Sequence, residues 1–223
     1  MDIVENLKKI RSSVPDNVVL VAVSKTKPAT MVQELYDAGQ LDFGENKVQD
    51  LAAKAEALPS GIRWHMIGHL QTNKVKYIAS FVYMIHAVDS LKLLQTINKE
   101  GEKNSRVIDC LLQVHIAEEE TKFGLSESEL IHLLESEAIV ELKNVRIRGL
   151  MGMATFTEDS DQVKKEFRNL KRIFELVKAS FFLSQDSFSE LSMGMSGDYE
   201  LAIEEGSTMV RVGSSIFGPR NYA

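Results

Sequence analysis

The chain has 223 residues, of which 44% are hydrophobic and 26% charged, and its formal net charge is −6. These values suit a globular protein with a sizeable core, and the negative charge argues against nucleic acid as the main partner, because phosphate backbones select a basic surface. The single cysteine, Cys110, excludes an internal disulfide, and the absence of a signal peptide or an apolar span predicts a cytoplasmic protein with no membrane partner.

Short apolar runs recur from one end of the chain to the other. There are eight, at residues 18–24, 41–44, 62–68, 81–88, 107–116, 145–153, 188–193 and 208–212. Several are apolar at successive positions, which is typical of parallel strands that are covered on both faces. We therefore predict eight buried strands.

The stretches between these runs have the spacing of helices. Residues 161–181 carry apolar side chains at steps of three and four, which predicts one long amphipathic helix. Ser126 and Glu129 form the pattern of a capping box, and Pro28 is placed as a first-turn proline. An additional helix is predicted before the first strand, from the spacing of Ile3 and Leu7.

Eight strands that alternate with helices predict an α/β protein with a closed (β/α)₈ TIM barrel. We expect residues 1–223 to form a single domain, with the extra helix at the amino terminus. A doubly wound open sheet is the alternative, but nothing in the chain resembles its Gly-x-Gly-x-x-Gly turn. In a barrel the chemistry lies at the carboxyl ends of the strands, so we expect the functional residues at those positions.

The first predicted strand ends at Lys25. Lys25 has the same strand parity as Val21 and Val23, so it is expected on their face, at the mouth of the barrel. A lysine in that place could serve as a Schiff-base amine. On this run alone, a lysine that leaves the strand into solvent is the simpler interpretation.

Two histidines belong to the third run and the residues just after it. His65 could be a ring-stacking or acid/base residue, or a hydrogen-bonded core histidine, and the sequence favours neither. His65 and His69 are four residues apart, but they fall at a strand end and in a loop rather than on a helix, so we expect no metal site.

Segments rich in glycine and serine follow the seventh and eighth runs, at residues 192–198 and 211–218. Small residues let backbone N–H groups approach an anion, and these two loops are the usual phosphate position of a barrel. Tight turns would explain either loop alone. The pair predicts phosphate binding.

Five motifs together resemble one known family. They are residues 22–25, 43–46, 64–74, 192–198 and 210–218. With these motifs in this order, the sequence resembles the pyridoxal phosphate homeostasis protein family over nearly its whole length. That family has a single-domain barrel similar to the N-terminal domain of alanine racemase.

The resemblance implies a site for pyridoxal 5′-phosphate. Lys25 would hold the cofactor as a Schiff base, Arg211 would face its pyridine nitrogen, and three residues would hold its phosphate: Ser196, Gly213 and Ser214. The cofactor-binding set is completed by Asn46, His65 and Met193. No catalytic residue and no metal ligand is expected.

The same resemblance favours a carrier or regulator of pyridoxal phosphate over an enzyme. Racemisation needs an acid/base group that alanine racemase takes from a second domain, and we expect no such domain because the chain ends at Ala223. The alternative is a weakly active amino-acid racemase or decarboxylase, and a signalling module is a third option. The expected partners are the cofactor and pyridoxal-phosphate-dependent apoenzymes, and the expected state is a monomer.

Overall fold

A computed structural model of the chain describes residues 2–119 and 123–219. Each of the eight predicted strands is present within its apolar run or offset from it by one or two residues. The strands are β1 Val19–Val23, β2 Asp42–Glu45, β3 Arg63–Met66, β4 Met84–Val88, β5 Ile108–Gln113, β6 Val145–Met151, β7 Glu190–Met195 and β8 Met209–Val212.

Helices separate most of these strands. They are α1 Ile3–Ser13, α2 Ala29–Asp37, α3 Val48–Ala57, α4 Leu91–Lys103, α5 Glu127–Glu135, α6 Ser160–Phe181, α7 Tyr199–Glu204 and α8 Ser214–Phe217. Two short 3₁₀ helices, Thr72–Tyr77 and Glu137–Ile139, complete the connections. Within the two described ranges, no helix combines the length and the apolar character needed to cross a membrane.

The strands close into a barrel in sequence order, β1 to β8. Every neighbouring pair is parallel, and β8 returns to β1 with Val21 opposite Arg211 and Ala22 opposite Val212. The predicted (β/α)₈ TIM barrel with an extra amino-terminal helix, α1, is therefore confirmed. All strands point the same way, so their carboxyl ends meet at one mouth.

The core has two parts, because side chains alternate between the inside and the outside of the barrel. A small inner cluster contains Val21, Met84, Ala87, Leu111, Met151 and Met209. A much larger outer cluster fills the space between strands and helices, and it includes the buried Cys110. Burial raises the pKa of the Cys110 thiol, which agrees with its interpretation as a core residue.

The helix ends follow the local signals of the sequence. Ser126 accepts from the Glu129 backbone N–H while Glu129 bonds back to Ser126, so the predicted capping box at α5 is confirmed. Pro28 is the N-cap of α2, one position before the predicted first-turn place. Its fixed φ suits either position, and its extended ψ of 157° keeps it outside the helix.

Candidate functional site

A cavity of about 780 Å³ opens at the carboxyl ends of the strands. It is lined by side chains and loops that follow β1, β2, β6, β7 and β8. Six of the residues predicted from the sequence lie on its wall: Lys25, Asn46, Ser196, Arg211, Gly213 and Ser214. The fold therefore gathers into one cavity residues that are up to 189 positions apart (from 25 to 214) in the chain.

Lys25 follows the inner face of β1, as its parity predicted. Val21 belongs to the inner cluster, while Val23 and Lys25 line the cavity. The side chain of Lys25 is half-buried. The next residue, Thr26, has a φ of +64°, a costly conformation for a β-branched residue. Strain of this kind is concentrated at functional sites, and here it turns the chain sharply after Lys25.

A buried ion pair between Lys54 and Glu45 supports the carboxyl end of β1. The Ser24 hydroxyl donates to Glu45 Oε1 at 2.7 Å, and Lys54 Nζ donates to the Ser24 carbonyl at 2.8 Å and to Glu45. These groups fix the backbone that immediately precedes Lys25. This support was not predicted from the sequence. Its signal was a charged residue, Lys54, three positions after Leu51 on the apolar face of α3.

The two loops rich in glycine and serine lie side by side at the mouth of the barrel. The Gly213 backbone N–H donates to the Ser196 hydroxyl at 3.0 Å, which joins the loop after β7 to the loop after β8. Gly194 has a φ of +92°, and a Cβ there would lie 2.5 Å from Ala202 Cβ. Only glycine fits this close approach, so Gly194 sets the path of the first loop.

Arg211 forms a buried, fixed part of the cavity wall. Its Nη1 donates to Ser192 Oγ at 2.6 Å, and its Nη2 donates to the Gly152 carbonyl at 3.0 Å. Burial lowers the pKa of Arg211 to about 10, and the Asp198 carboxylate opposes this shift. The guanidinium therefore stays protonated at neutral pH.

Asn46 reaches the cavity because β3 is followed by a glycine. A Cβ on Gly68 would lie 2.4 Å from the Asn46 carbonyl oxygen and 2.8 Å from its Cα. The two loops can therefore touch only if residue 68 is glycine. This contact explains why the third motif contains a glycine two positions after the strand.

His65 lies inside the barrel rather than on the cavity wall, and it is fully buried. Its Nε2 is 3.0 Å from Asp42 Oδ1, and its Nδ1 is 2.9 Å from His86 Nε2. The structure thus favours the hydrogen-bonded core histidine of the two open interpretations. His86 was not singled out from the sequence, although a histidine within a continuous apolar run was the available signal.

Met193 also lies away from the cavity wall. It is fully buried and belongs to the outer cluster, between the barrel and its helices. Along β7 the side chains alternate, so Ser192 turns into the barrel, where it contacts Arg211, and Met193 turns outward. The predicted role of Met193 in cofactor binding has no counterpart in this geometry.

The barrel and its mouth define the class of the protein. The family model described as "Alanine racemase, N-terminal domain" matches residues 2–221. Within that class, the chain is 41% identical over 204 residues to the pyridoxal phosphate homeostasis protein of Aquifex aeolicus, covering 91% of this chain and 87% of that protein. It is 35% identical over 236 residues to the protein of the same name from Escherichia coli strain K12, covering 100% and 98%. The chain belongs to the pyridoxal phosphate homeostasis protein family, as its motifs predicted.

Solved structures agree with this assignment. PipY of Synechococcus elongatus PCC7942 without PLP superposes with a TM-score of 0.91 at 35% identity, covering 97% of this chain and 100% of that one. The same protein with PLP bound gives a TM-score of 0.88 at the same identity and coverage. Alanine racemase of Bartonella henselae gives 0.74 at 19% identity, covering 98% of this chain and 58% of that one, a likeness that concerns the fold alone.

Proposed function

We propose that this chain binds pyridoxal 5′-phosphate in the cavity at the carboxyl ends of its strands and takes part in pyridoxal phosphate homeostasis. The family to which it belongs supports this proposal, and so does PipY, which has been solved with PLP bound. The observation that carries it is the meeting of Lys25, the two small-residue loops and Arg211 around one cavity.

The donor set fits the cofactor group by group. Pyridoxal phosphate carries a dianionic phosphate, an aldehyde and a pyridine nitrogen, and the cavity offers hydroxyls and backbone N–H groups, an amine and a guanidinium. When bound, the cofactor supplies an aldehyde that reacts with amines and a ring that withdraws electrons. At about 780 Å³ the cavity lies within the range of small-molecule sites.

In this proposal Lys25 forms the covalent bond. Its Nζ would hold the aldehyde carbon of the cofactor as a Schiff base, with the loss of one water. Ser196 and Ser214, with the backbone of Gly213, hold the phosphate, because small residues and the first N–H groups of a helix suit an anion. Asn46 orients the ligand from the loop after β2.

Arg211 supports a role in binding more than one in turnover. A guanidinium has only donors, so a pyridine nitrogen that faces it must accept and stay unprotonated. An unprotonated ring withdraws electrons less strongly and supports carbanion chemistry less. We therefore propose a carrier or regulator without significant turnover, with apoenzymes as recipients. The expected single domain, monomeric state and cytoplasmic location stay predictions.

Chemical reduction tests the covalent assignment. The full-length protein is incubated with pyridoxal phosphate, reduced with borohydride, digested and mapped by mass spectrometry. The pyridoxyl label is expected on Lys25, and Lys25→Ala should lose it while keeping the fold. Lys103→Ala, which removes an exposed lysine of α4, serves as the control and should keep the label. A label on Lys27, which lines the same cavity, instead of Lys25 would contradict the assignment.

Hydrogen exchange tests the absence of turnover. The protein loaded with pyridoxal phosphate is incubated with single enantiomers of amino acids in D₂O, with Lys25→Ala as the control. We expect exchange at the α-carbon no faster than in the control. Fast Lys25-dependent exchange that converts one enantiomer into the other would instead establish a racemase.

A further inference from the structure

A continuous series of side-chain hydrogen bonds crosses the interior of the barrel. It starts at Arg211, whose Nη1 is 2.6 Å from Ser192 Oγ. Ser192 Oγ is 3.1 Å from His86 Nδ1, and His86 Nε2 is 2.9 Å from His65 Nδ1. His65 Nε2 is 3.0 Å from Asp42 Oδ1. We call this series the interior chain.

The interior chain joins the two mouths of the barrel. Arg211 lines the cavity at the carboxyl ends, while Asp42 and its ion-pair partner Arg63 line a second cavity of about 350 Å³ at the amino ends of β1, β2 and β3. All five members of the chain are nine-tenths or more buried. A buried polar group that loses its partner is costly, so each member holds its neighbours in place.

The two ends of the interior chain fix its direction. Arg211 can only donate and an ionised Asp42 can only accept. If Arg211 donates to Ser192, the Ser192 hydroxyl hydrogen is left to donate to His86 Nδ1. His86 then donates through Nε2 to His65 Nδ1, and His65 donates through Nε2 to Asp42. If the hydrogen bonds ran in the reverse direction, both His86 and Arg211 would donate to the Ser192 oxygen. The hydroxyl hydrogen of Ser192 would then have no acceptor within the interior chain.

The charge states of two members agree with this direction. Burial, with the neighbouring His65 and Arg211 adding to it, holds the pKa of His86 well below its ordinary value, so His86 is neutral. Burial raises the pKa of Asp42, but the hydrogen bonds from His65 and Arg63, together with the charge of Arg63, outweigh it, and the net pKa is lowered. The interior chain therefore runs from a cation, Arg211, to an anion, Asp42, and the histidine nearer to Arg211 is neutral.

We propose that Asp42, His65, His86 and Ser192 are positioning residues for Arg211. The interior chain orients the guanidinium from behind, so that its remaining N–H groups point into the cavity as fixed donors. The cavity thereby selects a ligand with an unprotonated aromatic nitrogen at that place. This inference rests on the proposed function, because it assigns the group opposite Arg211 to the pyridine nitrogen of pyridoxal phosphate.

The first test needs no cofactor. Nitrogen-15 NMR of the histidine side chains in the cofactor-free protein at pH 7 reports which ring nitrogens carry hydrogen. We expect His65 and His86 to be neutral, each with its hydrogen on Nε2. A cationic His65, or a hydrogen on Nδ1 of His86, would overturn the direction and with it the proposal.

The second test compares two buried hydroxyls between the same strands. Ser192→Ala breaks the interior chain next to Arg211. Ser207→Ala removes a buried hydroxyl that hydrogen-bonds to backbone carbonyls of β7 and β8. We expect Ser192→Ala to raise the Kd for pyridoxal phosphate about tenfold, the effect of one hydrogen bond to a charged group. The nitrogen-15 signal of a labelled pyridine ring should also move toward its protonated position. Ser207→Ala should change neither.

Equal behaviour of the two serine variants would overturn the positioning role. Asp42→Asn, at the far end of the interior chain, provides a second variant if Ser192→Ala does not fold, and it should shift the ring signal in the same direction by less. An unshifted ring signal in that variant would also count against the proposal. If the wild-type protein binds no pyridoxal phosphate, the proposed function fails, and the histidine measurement still decides the interior chain.

Discussion

The two mouths of the barrel use charged residues in different ways. At the amino ends, charges meet opposite charges: Asp109 bonds to Arg146 at 2.6 and 2.9 Å and lies 3.3 Å from Arg148, which also reaches Glu190 at 3.2 Å. At the carboxyl ends, the Lys54–Glu45 pair lies behind the strands, but the hydrogen bonds of Arg211, which lines the cavity, go to neutral oxygens.

This difference indicates that the charged residues at the amino ends stabilise the fold, whereas Arg211 at the carboxyl ends serves ligand binding. In the ion pairs at the amino ends, each charge is offset by that of its partner. A buried cation that is held by neutral oxygens keeps its electrostatic attraction for a ligand that is rich in electrons. At the carboxyl ends, the turn after Lys25 also contains the left-handed Thr26, whose β-branched side chain makes a positive φ costly. Substitutions at the two mouths should therefore affect different measurements.

The largest expected effect is at the amino ends. Asp109→Ala leaves two arginines without their shared carboxylate, and we expect the free energy of unfolding to fall by about 3 kcal/mol. This value is at the low end of the range for a buried ion pair, because the side chain of Arg146 is half-exposed. Urea unfolding measures this loss. Glu204→Ala, which breaks a more exposed pair with Lys164, should cost less than about 1 kcal/mol. The Kd for pyridoxal phosphate should be unchanged in both, and a weakened Kd in Asp109→Ala would break the comparison.

Two serines that flank β7 give the reciprocal test. Ser196→Ala removes a hydroxyl from the carboxyl-end loops, including its bond from Gly213, and should raise the Kd for pyridoxal phosphate roughly tenfold, about 1.5 kcal/mol. Ser189→Ala, just before the other end of the strand, should leave the Kd unchanged. Equilibrium titration by absorbance compares the two. An unchanged Kd in Ser196→Ala would mean that the hydroxyl only shapes the turn.

Two left-handed residues allow a matched test of strain. Thr26→Gly should raise the free energy of unfolding by about 1 kcal/mol, because glycine accepts a positive φ that a β-branched residue does not. It should also weaken cofactor binding a few-fold, because a looser turn aims Lys25 less well. Ser105→Gly relieves a φ of +52° before β5, at the amino ends, and should stabilise by less with no change in Kd. Urea unfolding and titration separate the two outcomes, and equal Kd values would show that the strain is unrelated to binding.

Periodicity and parity in the sequence were sufficient to predict the barrel and the position of Lys25 at its mouth. Continuous apolar runs identify parallel strands, and alternation along β1 puts Val21, Val23 and Lys25 on one face. The loops after β7 and β8 could be located because composition marks a tight turn locally. Each of these features depends on residues that are close together in the chain.

The interior chain could not be predicted in the same way, because it depends on how strands are aligned. His65 and His86 are 21 residues apart, and His86 and Ser192 are 106 residues apart. Their contacts follow from the register of the closed barrel and the depth of each side chain within it. Met193 shows the same limit, since its motif placed it near the cofactor while the alternation of β7 turns it outward.

The smallest expected effect concerns Asp42, where the interior chain meets the amino-end ion pairs. Its pKa is lowered in the folded protein, so its ionised form adds stability that is present above the unfolded pKa near 3.8 and is lost as the pH falls through the lower folded value. Asp42→Asn lacks this titration and resembles protonated Asp42. We therefore expect wild type to be more stable than Asp42→Asn by a constant amount from pH 7 to about pH 5, with the difference shrinking below about pH 4. Urea unfolding across this range measures it. A difference that stays constant in acid would mean that His65 and Arg63 do not stabilise the charge of Asp42, and that this end of the interior chain is held by packing alone.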